Sequence, residues 1–492
     1  GYYGHASVGC LHIRPLINLK NNEGVERMVD IMEDVSNLIL EFGGAFSGEH
    51  GDGLVRGPWN EKMFGSRLYN VFRRVKNTFD PSGIMNPGKI VDSPPMTENL
   101  RINPEYRTAE VHTGFSFKRE GGFAAAIEQC NGQGACRKIN AGSMCPSFMA
   151  TRDEEHSTRG RANVLRATIS GALPLTSLTS KRIYDVLDLC LECKTCKAEC
   201  PSNVDMTKLK YEFLDRYYKA NGHPLDKRIF GNIDTLSRIG SFLAPISNWM
   251  LNSDVAGEIL ENYVGIDRRR KLPNFAAQTF YQWFRARGGS HPRGTRQGEV
   301  LLFNDTFTNY NHPELGRAMV TVFEAIGYEV IVPPWKCCGR PMLSAGMIDR
   351  AKKNAAANSR IANHYLKRGA VIVGLEPSCM TMFKDDYTDL VESPDNLLTH
   401  NSLLIEEFLA ERAPLLKTLS FTSVPRKILF HGHCHQKTLA GTRHAVEILK
   451  SLPNTEVVEI DSGCCGMAGS FGYEAEHYDL SMTIADRVLL PA

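Results

Sequence analysis

The chain has 492 residues, 42% of them hydrophobic, so it is long enough to form several domains with buried cores. Its net charge of +2 at pH 7 gives no reason to expect a nucleic-acid partner. The sequence contains no run of 18 apolar residues and no secretory signal pattern, so we expect no membrane-spanning segment. Most of its fourteen cysteines are in short-spaced groups, which is typical of metal ligation in a reducing, cytoplasmic compartment.

Residues 1–90 are the first predicted unit, and they combine Gly-rich loops with two helices. Apolar residues recur at helical spacing from Val25 to Leu38, which predicts a helix over 24–42. A second helix is predicted over 61–79. Four prolines between 81 and 95 then interrupt the pattern, and we predict a linker over 91–110.

A cysteine-rich unit is predicted over 111–215, followed by a helical connector with a basic tail over 216–297. The basic stretch runs through 268–296 and has aromatic residues at 280–284. Such a stretch is usually a solvated face, and the alternative is contact with an anionic membrane surface. The cysteine usage predicts a cytoplasmic location. The basic stretch adds a peripheral place at the inner membrane as the alternative.

The last part of the chain contains an internal repeat. Apolar runs at 300–303, 330–332 and 371–373 predict strands that alternate with helices. A shift of 127 residues aligns Cys337-Cys338-Gly339 with Cys464-Cys465-Gly466 without a gap. Two α/β Cys-Cys-Gly repeats, over 298–395 and 396–492, are the simplest account. The predicted fold class is multidomain α+β.

Four cysteines in the middle of the chain, Cys190, Cys193, Cys196 and Cys200, follow a Cys-x2-Cys-x2-Cys-x3-Cys-Pro spacing. Three thiolates at this spacing can hold one iron–sulfur cluster, whereas the cysteine before proline usually ligates the other cluster of a pair. A zinc site or a group of buried structural thiols is the alternative, and the terminal Cys-Pro favours iron–sulfur binding. We therefore predict an α-helical, ferredoxin-like domain with two clusters.

The partner group, Cys130, Cys136 and Cys145, departs from that spacing because Gln133 stands where the middle cysteine would be. We call the two predicted clusters A and B. A cysteine before proline usually ligates the other cluster of a pair, so Cys145 should complete cluster A, which the other cysteine group holds. The other ligands of cluster A would be Cys190, Cys193 and Cys196, and those of cluster B would be Cys130, Cys136 and Cys200. Cluster A is expected to contain four irons. Cluster B is one cysteine short, and either a three-iron cluster or a four-iron cluster with another ligand would fit.

The two repeats contribute a third candidate site. Its thiols are Cys337, Cys338 and Cys379 in the first repeat and Cys434, Cys464 and Cys465 in the second. A cluster in each repeat, one site built between the repeats, and buried structural thiols or a redox disulfide are the alternatives. His431, His433 and His435 flank Cys434 and would be ligands, proton carriers or ordinary loop residues.

The N-terminal unit contains two histidines seven positions apart, His5 and His12, and the pair Glu49-His50 on a Gly-rich loop. These residue types suit a divalent metal with an adjacent general base. The alternative is that they are ordinary loop residues. Arg14 is a candidate partner for a substrate carboxylate, since a guanidinium can pair with it through two hydrogen bonds; a surface ion pair is its other interpretation.

These segments, with Asn86-Pro87-Gly88-Lys89, resemble the C-terminal end of the FAD-linked oxidase family of D-2-hydroxy-acid dehydrogenases. The resemblance implies that His5, His12 and Glu49 bind the metal, expected to be zinc, and that His50 is the catalytic base. The family has Gly-Asp-Gly-Asn between the two histidines, where this chain has Ser7-Val8-Gly9-Cys10.

The Cys-Cys-Gly repeats resemble those of heterodisulfide reductases and of small glycerol-phosphate, glycolate and lactate oxidoreductase subunits. In its order of units, the whole chain resembles the C-terminal half of bacterial flavoproteins that fuse an FAD-linked oxidase to iron–sulfur units. This implies FAD bound mainly by an upstream domain of the same protein, so the present portion alone is expected to be inactive.

The same resemblance implies a D-2-hydroxy acid as substrate, with D-2-hydroxyglutarate preferred and D-lactate as the alternative. The electrons would pass to a quinone or a carrier protein, and a homo-oligomer is expected. The alternative function is an electron-transfer module that serves a flavoprotein on another chain. The histidines and the glutamate of the N-terminal unit favour the enzyme, because an electron relay does not use them.

Overall fold

The computed structural model describes residues 2–140, 142–391, 397–421 and 423–492. The chain divides into two compact units, Gly1–Thr108 and Ala109–Ala492. The predicted boundary between the two repeats, at 395/396, lies outside the described residues.

A β-hairpin and two long helices form the first unit. Strands β1 (Tyr2–His5) and β2 (Cys10–Ile13) pair antiparallel, with His5 opposite Cys10 and Tyr3 opposite His12. Directly opposed residues share a face of the pair, and so do residues two apart on one strand. Tyr3, His5, Cys10 and His12 therefore share one face of the hairpin.

The two helices of this unit agree with the sequence prediction. The first spans Asn22–Glu41, and the Asn21 side chain caps it by accepting the Gly24 N–H at 2.8 Å. The second spans Asn60–Phe79 and is interrupted at Gly65, whose φ of 75° lies in the region that favours glycine.

The second unit contains a four-stranded parallel sheet in the order β4-β3-β5-β6 and a separate parallel pair, β7-β8. The strands are β3 (Gly298–Leu302), β4 (Tyr328–Ile331), β5 (Val371–Gly374), β6 (Ser402–Leu404), β7 (Arg426–Phe430) and β8 (Thr455–Glu459). Continuous apolar runs such as 300–302 suit β3, because it lies between two neighbours and is buried on both faces. The three predicted strands are confirmed.

Helices account for most of the rest of this unit. Those of eight residues or more are Thr158–Ile169, Lys181–Asp188, Met206–Asn221, Ile233–Phe242, Ala244–Leu251, Pro313–Ala325, Ile348–Leu366, Arg443–Lys450 and Tyr478–Asp486. No helix in the described part of the chain is both long and apolar enough to cross a membrane.

The cysteine-rich segment and the first repeat share one hydrophobic core. Tyr211 and Leu214, on helix Met206–Asn221, belong to the same buried cluster as Ile348 and Phe383 of the repeat. A smaller hydrophobic cluster contains Leu191, which lies within the cysteine motif 190–200, together with Cys464 and Phe471 of the second repeat. Because of this packing, the cysteine groups of distant segments lie next to one another.

Candidate metal centre and cysteine centres

Four side chains converge on one face of the N-terminal hairpin. One ligand atom from each of His5, Cys10, His12 and Glu49 lies within 4.8 Å of the others. Glu49 Oε1 contacts His5 Nδ1 directly. Two imidazoles, a thiol and a carboxylate are ligands that a divalent ion such as zinc takes, so the residues present fit a metal. Of these four residues, Cys10 was not predicted, although the strand alternation that unites His5 and His12 also includes it.

His50 lies at the edge of this centre. Its Nε2 is 3.5 Å from Glu49 Oε1, and its ring centroid is 5.2 Å from that of His5 and 5.1 Å from that of His12. The His50 side chain is 49% exposed, so a proton taken up there can pass to solvent. This arrangement suits a general base beside a metal.

Arg14 is held beside the same centre by Tyr3. Its Nη2 donates a hydrogen bond to the Tyr3 hydroxyl at 3.0 Å, and its guanidinium lies 4.8 Å from the centroid of the Tyr3 ring. The same ring also stacks on His12, with a centroid separation of 4.4 Å. Tyr3 therefore links the proposed carboxylate partner to a proposed metal ligand.

The electrostatics of the hairpin favour a neutral His12. Its pKa is lowered mainly by desolvation, and the neighbouring imidazoles of His5 and His50 and the guanidinium groups of Arg56 and Arg14 act in the same direction. An imidazole must be deprotonated to bind a metal, so this shift favours the ligand form.

The structure brings the four predicted ligands of cluster A together. Cys145, Cys190, Cys193 and Cys196 all line one small interior cavity. Burial raises the pKa of the last three thiols, which disfavours free thiolates there. Positive charge lies close by, since Arg161 Nη1 is 3.5 Å from Cys145 Sγ. Four thiols around a single cavity, three of them buried and Cys193 half-buried, fit an iron–sulfur cluster.

Of the cysteines predicted for cluster B, Cys136 lies near Cys130 and near Cys145 of the cavity lining. Cys130 and Cys136 are buried, and the Arg159 N–H donates to Cys136 Sγ at 3.4 Å. Burial, with the neighbouring Cys145 and Cys130, raises the pKa of Cys136. Cys200 is outside the lining of the first cavity, at the C-terminal end of helix Thr195–Glu199. The division of ligands between two clusters stays a prediction.

Replacing Cys145 with serine tests that division. We expect Cys145→Ser and Cys190→Ser to remove the same cluster, with a loss of about four irons per chain, because both residues would ligate cluster A. Cys200→Ser should change the signal of the other cluster instead. Iron and sulfide analysis with EPR on anaerobic protein would measure this. If Cys145→Ser changed the same signal as Cys136→Ser, the division would be wrong.

The six thiols of the repeats form two groups, one in each repeat, whose members hydrogen-bond with one another. In the first repeat, Cys338 Sγ donates to Cys379 Sγ at 3.0 Å, and Cys337 hydrogen-bonds with Cys338. The hydrogen bond with Cys338 lowers the pKa of Cys379. Burial and the neighbouring carboxylates outweigh it and raise this pKa to about 12. The pKa values of Cys337 and Cys338 are also raised well above the ordinary value, so the neutral form is favoured throughout this group.

The pKa shifts within the second group differ in direction. Hydrogen bonds with Cys434 and Cys465, together with burial, raise the pKa of Cys464 well above its ordinary value. A hydrogen bond from Cys464 and another from His431 lower the pKa of Cys465 to about 4, although burial opposes them. The hydrogen bond from Cys464 also lowers the pKa of Cys434. Thiolate is the nucleophilic and metal-binding form of cysteine, so the low pKa favours this form at Cys465.

A larger cavity lies between the second repeat and the proposed ligands of cluster A. Its lining includes Cys190 and Cys193 on one side and Cys434, Cys464 and Cys465 on the other, with His431, His433 and His435. Cys434 is close enough to Cys193 for its charge to raise the pKa of that thiol, after the larger effect of burial. The thiols of the second repeat thus adjoin a proposed cluster ligand.

A buried ion network also connects the cluster motif to the first repeat. Lys194, between two cluster cysteines, is fully buried, and its Nζ lies 2.7 Å from Asp385 and 2.8 Å from Asp386. Asp386 pairs in addition with Arg340 at 2.6 Å. No sequence pattern indicates this network, because Lys194 and its two aspartates are almost 200 residues apart.

Two aromatic side chains of the basic segment at 268–296 are buried, although the sequence places them among exposed arginines. Phe280 and Phe284 are buried in the core behind the parallel sheet. Arg287 pairs with the buried Glu324 at 2.9 Å, and Arg269 pairs with Asp267 at 2.6 Å. These two aromatic side chains therefore cannot belong to a membrane-facing surface.

Three protein families match the chain. The C-terminal domain of FAD linked oxidases matches residues 1–90, and the 4Fe-4S dicluster domain matches 129–205. The cysteine-rich domain matches twice, at 304–384 and 428–489. The chain combines these domains in one polypeptide. The matches support FAD and iron–sulfur clusters as cofactors, and they confirm the predicted multidomain α+β class.

Relatives of known name match over nearly the whole chain. D-2-hydroxyglutarate dehydrogenase of Pseudomonas putida is 27% identical over 99% of this chain and 51% of its own length. The enzyme of the same name from Escherichia coli is 26% identical over 98% of this chain and 51% of its own length. The chain thus spans about half the length of these curated relatives.

A further relative matches only part of the chain. In Escherichia coli, a subunit of the anaerobic glycerol-3-phosphate dehydrogenase is 28% identical over 54% of this chain and 67% of its own length. No solved structure matches the chain significantly.

Proposed function

We propose that this chain is part of an FAD- and iron–sulfur-dependent dehydrogenase that oxidises D-2-hydroxyglutarate to 2-oxoglutarate. The observation that carries the proposal is the convergence of His5, His12, Glu49 and His50 within the domain that matches FAD linked oxidases. The relatives named D-2-hydroxyglutarate dehydrogenase support the choice of substrate.

The bound groups and the protein residues have separate tasks. A divalent metal, which we propose to be zinc, would supply a Lewis acid for the substrate hydroxyl, and FAD would supply the hydride acceptor. His50 would take the hydroxyl proton, with Glu49 3.5 Å from its Nε2 to orient the ring. Arg14, held by Tyr3, would pair with a substrate carboxylate.

The cysteines would hold the carriers that take the electrons away. We propose that cluster A is a four-iron cluster and that cluster B has three or four irons. The thiols of the second repeat adjoin Cys193, which supports a third redox site there. The acceptor, a quinone or a carrier protein, the homo-oligomer and a place at the inner membrane stay predictions.

A dye-linked assay of the protein together with its FAD domain tests the proposed substrate. We expect kcat/KM for D-2-hydroxyglutarate to exceed that for D-lactate by more than about tenfold, since a second carboxylate paired with a cation contributes about 1.5 kcal/mol or more. The reverse order would assign D-lactate as substrate.

A second candidate function is an electron-transfer module for a flavoprotein on another chain. The similarity to part of a glycerol-3-phosphate dehydrogenase, which covers 54% of this chain, favours it. Intact clusters without activity towards any D-2-hydroxy acid in the same assay would contradict the enzyme and support the module.

A further inference from the structure

Cys10 lies among the proposed metal ligands, but neither the resemblance nor the family matches give it a role. Its Sγ is 3.6 Å from His12 Nε2 and 3.8 Å from Glu49 Oε1. The side chain is half-buried, on the hairpin face that also presents His5 and His12. The thiol therefore points at the same small volume as the other three donors.

These distances can be compared with those in a tetrahedral zinc site. Zinc binds sulfur at about 2.3 Å and nitrogen or oxygen at about 2.0–2.2 Å. Tetrahedral angles then place a sulfur ligand about 3.5–3.7 Å from its nitrogen and oxygen neighbours. The two measured separations from Cys10 Sγ are close to this edge length, so the thiol is already at ligand distance from its neighbours.

The backbone explains why the thiol is there. His5 and Cys10 are directly opposed residues of the antiparallel pair, and His12 is two positions beyond Cys10 on the same strand. Side chains at these positions lie on one face and a few ångströms apart. A ligand-type residue at position 10 is therefore directed at any ion that His5 and His12 share.

We propose that the Cys10 thiolate is the fourth protein ligand of the metal, in a site of two histidines, one cysteine and one glutamate. The inference rests on the metal centre of the proposed function. On binding, the Sγ–H bond of Cys10 breaks, its proton goes to solvent, and the sulfur forms a bond to the ion. Because thiolate is a soft donor, the site selects zinc over magnesium and manganese.

X-ray absorption at the zinc edge tests the inference without interference from iron. The samples are the zinc-loaded full protein with its clusters intact, as wild type, Cys10→Ser, Cys10→Asn and His5→Ala. We expect the wild type to show one sulfur at about 2.3 Å beside nitrogen and oxygen ligands. Cys10→Ser and Cys10→Asn should lose the sulfur and keep the lighter ligands. Asparagine is the matched control, because the family pattern has it at this position.

The other outcomes separate the two claims. A wild-type spectrum with nitrogen and oxygen alone, or a sulfur that persists in both Cys10 variants, would overturn the role of Cys10 and leave the metal centre standing. An unchanged spectrum in His5→Ala would place the zinc elsewhere and overturn both.

Competition between metals is a second readout, for variants that retain too little zinc for spectroscopy. We expect the preference for zinc over manganese to fall by about tenfold or more in Cys10→Asn, because the soft donor is lost. An unchanged preference would overturn the inference.

Discussion

Replacing His50 with alanine should lower turnover of D-2-hydroxyglutarate by about 10²–10⁴-fold in the full protein, the range that a positioned general base contributes. The reason is geometric: His50 Nε2 is 3.5 Å from Glu49 Oε1, and its ring adjoins those of His5 and His12. Steady-state kinetics with an artificial acceptor would measure the loss. The visible absorbance of the clusters should stay unchanged, since their proposed ligands belong to other segments.

A matched control is available in another histidine of similar exposure. His312 is 55% exposed and pairs with Glu314 on the surface of the second unit, so His312→Ala should leave turnover unchanged. Normal turnover in His50→Ala would refute the assignment of the base. Loss of cluster absorbance in that variant would show that it disturbs more than the proton transfer.

Replacing Lys194 with methionine should destabilise the second unit by about 3–5 kcal/mol, the usual effect of removing one partner from a buried ion pair. Burial by itself would lower the pKa of Lys194, but Asp205, Asp385 and Asp386 outweigh burial and raise it, so the side chain is charged. Without the ammonium group, Asp385 and Asp386 lose their contacts with Lys194 Nζ, at 2.7 and 2.8 Å, and keep their pairs with Lys197 and Arg340. The thermal midpoint of the cluster-loaded protein should fall by several degrees.

An exposed lysine from the same unit is the control for this change. Lys181 is 70% exposed and pairs with Asp185 one helical turn away. Lys181→Met should change stability by about 1 kcal/mol or less, because solvent screens a surface pair. Equal midpoints for the two variants would contradict the importance of the buried network.

Much of the fold was predictable because its signals are local. The apolar runs at 300–303 and 371–373 predicted strands of the parallel sheet, since a strand buried on both faces needs an unbroken apolar sequence. The helix Asn22–Glu41 followed from apolar residues at helical spacing, and the helix Asn60–Phe79 agrees with the one predicted over 61–79. The repeated Cys-Cys-Gly sequence predicted two related units, and the cysteine-rich family matches both.

The burial of aromatic residues in the basic segment could not be predicted from their sequence neighbours. Phe280 and Phe284 stand next to exposed-looking arginines in the sequence, but both side chains are buried in the core behind the sheet. Helix Phe280–Ala286 covers only two turns, and its inner face is decided by the sheet against which it packs. A short segment does not reveal which of its faces is buried.

Residue type and spacing were enough to identify the candidate cofactor ligands: the cysteine motif, His5 and His12, and Glu49 beside His50. How distant segments combine became visible in the folded chain alone. The fold places Cys10 beside the three proposed metal ligands, separates the six thiols of the repeats into two groups, and places Asp385 and Asp386 around Lys194. The physical reason is that pairing and burial across long separations depend on packing, which local sequence patterns do not specify.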